Sequence, residues 1–303
     1  MNGATVAITL DLDGPREYAS IHGVELDADV ELQQMYGRPL ERFVELCQGA
    51  GASGTLFVVA RDVTAQTAAT LRGLVAMGFE VASHSSVHDY GLSRRPPTAI
   101  ETDLRRSRDI LEREVGARPV GFRAPGYHLS EPVLDALETL GFSYSSSVLP
   151  SPPYFFAKAA VLAGYRLLGR TSASMQGSAG MLIAPRQPYR PGRNPYVKGT
   201  RHLVELPISV ATPLRLPVTG ASLVLAPRAL RRLLVSSLAK QKSVVLNLHA
   251  MDLARADEVP RSVVGHQPEL RLDVEKRLRI IGECINGLGP RTVVTCAQLA
   301  VSV

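Results

Sequence analysis

Short apolar runs alternate along the chain with stretches whose apolar residues repeat at helical spacing. The run ATVAITL at residues 4–10 is typical of a buried strand. The stretch PLERFVELCQGAG ends in glycines and places four apolar residues on one helical face: Leu40, Phe43, Val44 and Cys47. The same analysis predicts further strands at 55–59, 79–83, 119–123, 142–148, 202–208, 243–249 and 292–296, and helices at 65–77, 98–115, 130–140, 226–240 and 269–287.

Strands that alternate with helices predict an α/β fold with a parallel sheet and outer helices, either open or closed into a barrel. The length of 303 residues and the ordinary globular composition fit one catalytic domain spanning 1–303. The one compositional break is a segment rich in proline, glycine and arginine at about 150–200. We expect this segment to be an insertion or flap.

The net charge of +6 is concentrated in one part of the chain. Between Thr139 and Val204 there is no acidic residue and the segment carries +8, which leaves −2 for the rest. No helix-turn-helix, zinc-finger or RNA-binding signature accompanies these bases, so no nucleic-acid partner is expected. The eight bases are Lys158, Arg166, Arg170, Arg186, Arg190, Arg193, Lys198 and Arg201.

Targeting and redox signals are weak. No apolar stretch reaches the roughly 18 residues that cross a bilayer, and the N-terminal residues lack the pattern of a signal peptide. The three cysteines are unclustered, which indicates reduced thiols. A cytoplasmic location is expected.

Ionisable residues follow four of the predicted strands. Asp11 and Asp13 follow the first, His84 the third, Arg123 the fourth and His249 a late one. In an α/β barrel, catalytic residues gather at this carboxyl edge. We therefore expect these five side chains to share one site.

His84 and His88 lie four residues apart, a spacing that fits ligands on a helix as well as ordinary polar residues at a strand end. The acidic residues decide between these interpretations. Asp11 and Asp13 are two apart in a strand and point the same way. One carboxylate with two histidines makes a catalytic metal site with open positions, and the other carboxylate remains available as a base.

Four short motifs, TLDLDG, SHSSVH, FRAPG and LNLH, occur in this order within residues 4–252. Together they resemble the motifs of the polysaccharide deacetylase family (carbohydrate esterase family four). The resemblance implies a distorted (β/α) barrel of about seven strands that hydrolyses N-acetyl groups on sugars.

The resemblance also implies a role for each matching residue. The metal would be Zn²⁺ by default, with Co²⁺, Ni²⁺ or Fe²⁺ fitting the same ligands. The roles are metal ligation by Asp13, His84 and His88, general base by Asp11, orientation of that base by Arg123, general acid by His249, and oxyanion or substrate contacts near Gly126 and Tyr127.

The sequence departs from the family pattern in two ways. Ser145 stands where the family commonly has an aspartate, and the chain has no tryptophan. We therefore expect Asp252 to be the partner of His249, and an acyl group other than acetyl is consistent with the missing indole. His22 either reaches the mouth of the site or is an ordinary histidine of a surface loop.

The predicted function is a metal-dependent amide hydrolase that removes an N-acyl group from an amino sugar. The alternatives are a hydrolase of a non-sugar or lipid-linked amide, such as a deformylase, and a non-catalytic sugar-binding relic. Apolar residues at helical spacing in 154–170 leave two interpretations open. One is a buried hairpin or oligomer contact; the other is a flap, within 154–201, that rests on an anionic membrane at its inner face.

Overall fold

A computed structural model describes residues 3–26 and 33–303. The predicted domain 1–303 therefore includes two short stretches, 1–2 and 27–32, outside the described residues. Within the described ranges the strands are β1 (Thr5–Asp11), β2 (Thr55–Val58), β3 (Glu80–Ser83), β4 (Gly121–Phe122), β5 (Tyr144–Ser145), β6 (Val204–Glu205), β7 (Val210–Ala211), β8 (Leu216–Pro217), β9 (Ser243–His249) and β10 (Thr292–Val293).

The helices surround these strands. They are α1 (Pro15–His22), α2 (Arg38–Gly49), α3 (Ala65–Ala76), α4 (Pro97–Val115), α5 (Glu131–Thr139), α6 (Pro152–Leu167), α7 (Gly220–Leu225), α8 (Arg228–Ala239), α9 (Ala250–Leu253), α10 (Arg261–Val264), α11 (Val274–Asn286) and α12 (Cys296–Val301). Short 3-10 helices lie at Gln34–Tyr36, Ala60–Asp62, Leu92–Arg94, Pro125–Tyr127, Ala179–Leu182, Ala256–Glu258 and Pro268–Arg271.

All strands except β7 and β8 form one parallel sheet. The order is β9-β1-β2-β3-β4-β5-β6. β10 and β2 pair with the same edge of β1, β10 with its first residues and β2 with its last. β1 pairs with β9 along its whole length, from Thr5 opposite Ser243 to Asp11 opposite His249. The register therefore places the last residues of β1 and β9 side by side.

The sheet curls back toward β9. After β6, the Ser209 backbone N–H donates to the Val245 carbonyl oxygen at 3.1 Å, and Val245 N–H donates to Ser209 Oγ at 2.9 Å. Every residue of β1 is buried, as expected for a strand covered on both faces. This arrangement confirms the predicted α/β distorted barrel of parallel strands.

Amphipathic helices cover the outside of the sheet. The predicted face of α2 is buried at Leu40, Phe43 and Cys47, which join the core around β1. α4 buries Ile100 and Leu104 toward a second part of the core. Burial of such a stripe is what stabilises a surface helix.

Several predicted elements are shorter than their apolar patterns. The helix predicted from 269 begins at Val274, because the Asp273 side chain accepts hydrogen bonds from the N–H groups of Glu275 and Lys276. The strand predicted at 292–296 ends at Val293, because Thr295 caps α12. These polar caps define the element ends better than the apolar runs do.

The segment predicted as an insertion begins with α6. No residue of α6 is fully buried, so the interpretation of 154–170 as a buried hairpin is wrong. None of the helices in the described ranges combines the length and the apolar character that crossing a bilayer requires.

Candidate active site

The carboxyl ends of the parallel strands bring the predicted residues together. Asp11 is the last residue of β1, His84 follows β3, and His249 is the last residue of β9. These residues line one cleft of about 380 Å³. The same cleft is lined by five more of the predicted site residues: Asp13, His88, Gly126, Tyr127 and Asp252.

Three of the lining residues form a cluster suited to a metal ion. One ligand atom each from Asp13, His84 and His88 lies within 4.8 Å of the other two. Asp13 Oδ1 is 3.1 Å from His84 Nε2 and 3.3 Å from His88 Nε2. All three side chains are buried.

The His84 ring is oriented by the backbone. Its Nδ1 lies 2.7 Å from the Arg123 carbonyl oxygen, which can only accept a hydrogen bond. Nδ1 therefore carries a proton, and Nε2, the ring nitrogen that faces Asp13, is the one available to a metal. A carbonyl bond of this kind is typical behind a metal-binding histidine.

The donor set fits a divalent cation. Asp13 Oδ1 and both ring nitrogens of His88 have no hydrogen-bond partner among the described residues, although all are buried. Burial opposes charge on Asp13, yet His88 and His84 hold the pKa of this carboxyl well below its usual range. A buried carboxylate facing two imidazole nitrogens matches the nitrogen and oxygen ligands that zinc takes in catalytic sites.

His88 reaches this cluster from a turn and not from a helix. Ser85 and His88 both have left-handed backbone, with φ of 69° and 56°. The Ser85 hydroxyl oxygen accepts the His88 backbone N–H at 2.8 Å, which holds the turn. His84 and His88 therefore reach the site from a loop, and the interpretation of the two histidines as ligands on a helix is wrong.

Asp11 is held by a buried guanidinium. Arg123 Nη1 donates to Asp11 Oδ1 at 2.5 Å, and Arg123 Nε donates to the Ser146 carbonyl oxygen at 2.7 Å. Burial would lower the pKa of Arg123, but the Asp11 carboxylate raises it. Arg123 therefore stays charged, and its hydrogen bonds keep Asp11 in a fixed position.

Asn247 joins this pair to the far wall of the cleft. Its Oδ1 accepts from Arg123 Nη1 at 2.5 Å, and its Nδ2 donates to the Tyr127 hydroxyl at 2.9 Å and to Asp11 Oδ2 at 3.3 Å. Sequence reasoning missed Asn247. The signal was present in LNLH, because residues two apart in a strand share a face and Asn247 precedes His249 by two.

His249 faces the same space as the two aspartates. Its Nε2 lies 3.3 Å from the Tyr127 hydroxyl oxygen, 3.6 Å from Asp11 Oδ2 and 4.0 Å from Asp13 Oδ2. Asp252 Oδ2 accepts the His249 backbone N–H at 2.8 Å and lies 4.0 Å from Nδ1. Asp252 therefore contacts His249 chiefly through the backbone, at the start of α9.

The turn predicted to bind the oxyanion lies between β4 and α5. Gly126 has a φ of 65° and lines the cleft. The Tyr127 backbone N–H already donates to the Ala124 carbonyl oxygen at 3.0 Å, so Tyr127 contributes its hydroxyl instead. Burial raises the pKa of this hydroxyl well above its usual range, and it stays protonated.

His22 does not line the cleft in the described structure. It ends α1, where Nδ1 meets the Tyr165 hydroxyl at 3.2 Å and Nε2 meets Gln267 Nε2 at 2.8 Å. Burial and the nearby His266 lower the pKa of His22 to about 4. Its contacts connect α1 to α6.

α6 supplies one wall of the cleft, through Tyr154 and Lys158. Lys158 Nζ lies 3.4 Å from His128 Nε2, and burial lowers the pKa of Lys158 to about 8. If the segment 154–201 rests on an anionic membrane, its bases, Lys158 among them, are expected to face lipid phosphates. The structure turns Lys158 inward, because it lies on the side of the helix that carries Tyr154.

Comparison with known proteins bears on these assignments. Residues 34–145 match the family model described as polysaccharide deacetylase. The predicted resemblance to polysaccharide deacetylases is confirmed. The segment that matches the polysaccharide deacetylase model includes His84, His88 and Arg123, whereas Asp11 and His249 lie outside it. No curated protein matches the chain by sequence.

Solved structures share the fold of this chain. A protein from Mycobacterium smegmatis assigned as a polysaccharide deacetylase is 19% identical, with a TM-score of 0.62 over 100% of this chain and 91% of that one. Puue allantoinase is 16% identical, with a TM-score of 0.55 over 98% and 89%. The Xyl-CE4 domain of a multidomain xylanase from the hindgut metagenome of Trinervitermes trinervoides is 12% identical, with a TM-score of 0.50 over 99% and 91%. The TM-scores establish a common fold.

Proposed function

We propose that the protein is a divalent-metal-dependent hydrolase that removes an N-acyl group from an amino sugar in a saccharide or glycoconjugate. One observation carries the proposal. Asp13, His84 and His88 converge on one point, where Asp13 Oδ1 and the His88 ring nitrogens have no hydrogen-bond partner among the described residues, while Asp11 and His249 face the same space. A ligand cluster flanked by a carboxylate and an imidazole is suited to hydrolysis.

Asp13, His84 and His88 would hold the cation, with zinc as the first choice and cobalt, nickel or ferrous iron as alternatives. When bound, such a cation supplies Lewis acidity that polarises the amide carbonyl and makes water more acidic. Asp13 supplies charge that offsets the cation, and the Arg123 carbonyl fixes the His84 ring for ligation.

Asp11 would accept the proton of the attacking water. Its Oδ1 is committed to Arg123, which leaves Oδ2 directed toward His249 and the cleft. Because Arg123 and Asn247 fix this carboxylate, no side-chain rearrangement is needed before the proton moves.

His249 would donate a proton to the departing amine. Its Nε2 borders the cleft within 3.6 Å of Asp11 Oδ2, so proton acceptor and donor flank one position for the scissile amide. The Tyr127 hydroxyl, 3.3 Å from Nε2, limits the rotation of the imidazole.

The cleft walls support a sugar as substrate. Four tyrosines line it: Tyr18, Tyr90, Tyr127 and Tyr154. A tyrosine combines an apolar ring, which packs on the C–H face of a pyranose, with a hydroxyl that can hydrogen-bond. The chain has no indole to contact the acyl group, so acyl groups other than acetyl, formyl among them, belong in the test.

The direct test is the release of acid from a panel of N-formyl and N-acetyl amino sugars, free and in oligosaccharides. We expect turnover of at least one sugar amide, its loss on chelation and its return with Zn²⁺ or Co²⁺. Turnover of a non-sugar amide alone, such as allantoin, would replace the proposal by the non-sugar alternative.

Metal content tests the ligand assignment independently of substrate. The His84→Ala/His88→Ala variant should bind no stoichiometric metal, whereas His202→Ala, at an exposed histidine outside the cleft, should bind as the wild type does. Full metal occupancy in the double variant overturns the assignment. Metal without turnover on any amide indicates the sugar-binding relic.

A further inference from the structure

The outward side of α6 is unusually apolar for a surface helix. Its exposed fractions are 61% at Phe156, 55% at Val161 and 88% at Leu167, and Leu168 directly after the helix is 74% exposed. Scattered apolar residues are normal on a surface, but a contiguous patch marks an interaction site.

Helical geometry places these residues on one continuous strip. With 3.6 residues per turn, Phe156 and Leu167 lie within about 20° of each other, and Val161 and Leu168 lie about 120–140° from Phe156, at the far edge of the same exposed side of the helix. We call this strip the outer face of α6; its members are Phe156, Ala157, Ala160, Val161, Ala163, Gly164, Leu167 and Leu168. No member is polar, whereas a helix that faces water normally carries charged residues there.

The bases near the outer face lie at its margins. Arg166 flanks the strip on the last turn of α6, and Arg170 follows the helix, with its guanidinium 5.3 Å from the Tyr165 ring centre. Both arginines are exposed. An apolar strip bordered by bases is the pattern of a helix that lies on an anionic bilayer.

The surrounding chain supports the same charge preference. Residues 140–203 contain no aspartate or glutamate. Acidic residues of α5 balance the charges of two bases in this segment: Arg193 pairs with Glu131, and Arg201 pairs with Asp135. Arg166 and Arg170 have no such acid within their own segment.

We propose that the outer face of α6 binds the surface of an anionic membrane, with the helix in the plane of the interface. Phe156, Val161 and Leu167 enter the acyl region, and Arg166 and Arg170 meet lipid phosphates. At 16 residues, α6 is too short to span a bilayer. Contact with a second copy is disfavoured, because it brings basic margins together without an acid between them.

The experiment is cosedimentation of the whole protein with vesicles of phosphatidylglycerol and phosphatidylcholine, or of phosphatidylcholine alone, at low and physiological salt. We expect binding to the anionic vesicles, weaker at higher salt and weaker still without phosphatidylglycerol. Phe156→Ser/Leu167→Ser should weaken the affinity at least about tenfold. Arg166→Gln should weaken it about fivefold at low salt.

A matched control removes exposed apolar residues elsewhere. Leu233→Ser/Met77→Ser changes side chains that are 68% and 51% exposed outside α6, and it should bind as the wild type does. Absence of wild-type binding at both salts contradicts the proposal, as does unchanged binding by Phe156→Ser/Leu167→Ser. Self-association in vesicle-free solution that this variant abolishes assigns the face to a second copy instead. These readouts need no turnover, so they stand apart from the hydrolase proposal.

Discussion

Arg123 acts on the site through both its side chain and its backbone. The guanidinium holds Asp11, and the carbonyl oxygen fixes the His84 ring. The side chain is fully buried and its charge is balanced by Asp11, so removing either partner leaves an uncompensated buried charge. One residue therefore links the proposed base to the proposed metal ligands.

Replacement of Asp11 and replacement of Asp13 should have different effects on metal binding and turnover. We expect Asp11→Asn to retain metal and lose about 10²–10⁴-fold in kcat, because an amide cannot accept the proton. Asp13→Asn should lose metal affinity as well, because it removes the charged ligand. Metal analysis and steady-state kinetics on the same samples distinguish the two, and near wild-type turnover by Asp11→Asn would assign the base to another group.

Glu269, in the cleft, gives a prediction for pH. Burial, reinforced by Asp252, raises the pKa of Glu269 to about 7, above the value of about 4.3 in an unfolded chain. The folded state holds this proton more tightly, so the associated stability is full below about pH 4 and lost as pH rises through about 7.

Replacement of Glu269 by glutamine should remove this dependence. When the pH rises from about 5 to about 8, the free energy of unfolding should fall less for Glu269→Gln than for the wild type, by up to about 3 kcal/mol. Chemical denaturation at both pH values measures the difference. Glu112→Gln, at an exposed carboxylate of α4, serves as control, and an equal loss in wild type and Glu269→Gln would contradict the assignment.

At the scale of elements, the sequence predicts the central strands well and the outer ones poorly. β1 and β9 match their apolar runs closely, because burial on both faces leaves one continuous signal. β4 and β5 shrink to two residues, and Ser146, directly after β5, accepts hydrogen bonds from Arg123 instead. α1 was not predicted, although Pro15 at its first position is a helix-start signal.

The turn after β3 was also beyond the sequence pattern. Spacing alone suggests a helical pair of histidines, but positive φ at Ser85 and His88 depends on surrounding contacts. The residues that line the cleft were predictable, because their types and their positions at strand ends identify them. The connecting network of Thr9, Ser146 and Asn247 was not, since neutral polar residues in a strand carry little signal.

This turn can be tested through Ser85. Ser85→Ala removes the oxygen that accepts the His88 backbone N–H, which leaves a buried donor unpaired. We expect metal affinity to fall about 10–100-fold, as for other contacts that orient a ligand. Metal titration measures the change against Ser143→Ala, an exposed serine. Unchanged affinity in Ser85→Ala would show that the turn holds its shape without this bond.

At the scale of the molecule, the cluster should link metal binding to folding. Asp13 follows β1, and His84 and His88 lie in the turn after β3. Only the folded sheet, with β2 between these two strands, brings the three residues together. A cation that binds the native state alone stabilises it by about 4 kcal/mol at a thousandfold excess over Kd.

Chelation should therefore lower the melting temperature, and added Zn²⁺ should restore it. The His84→Ala/His88→Ala variant lacks two ligands and should melt at one temperature with or without metal. Calorimetry of both proteins in the two conditions provides the comparison. A metal-dependent shift of equal size in the variant would place the stabilising cation elsewhere.

The two sides of α6 face different environments, although the helix is only roughly 10 Å wide. Tyr154 and Lys158 touch the cleft, while Phe156 and Leu167 face outward. A shift of α6 that favours binding in the cleft also changes the free energy of binding at the outer face, and the reverse holds as well. If binding at the outer face changes the affinity of the cleft for its ligand by some factor, binding in the cleft must change the affinity of the outer face by the same factor.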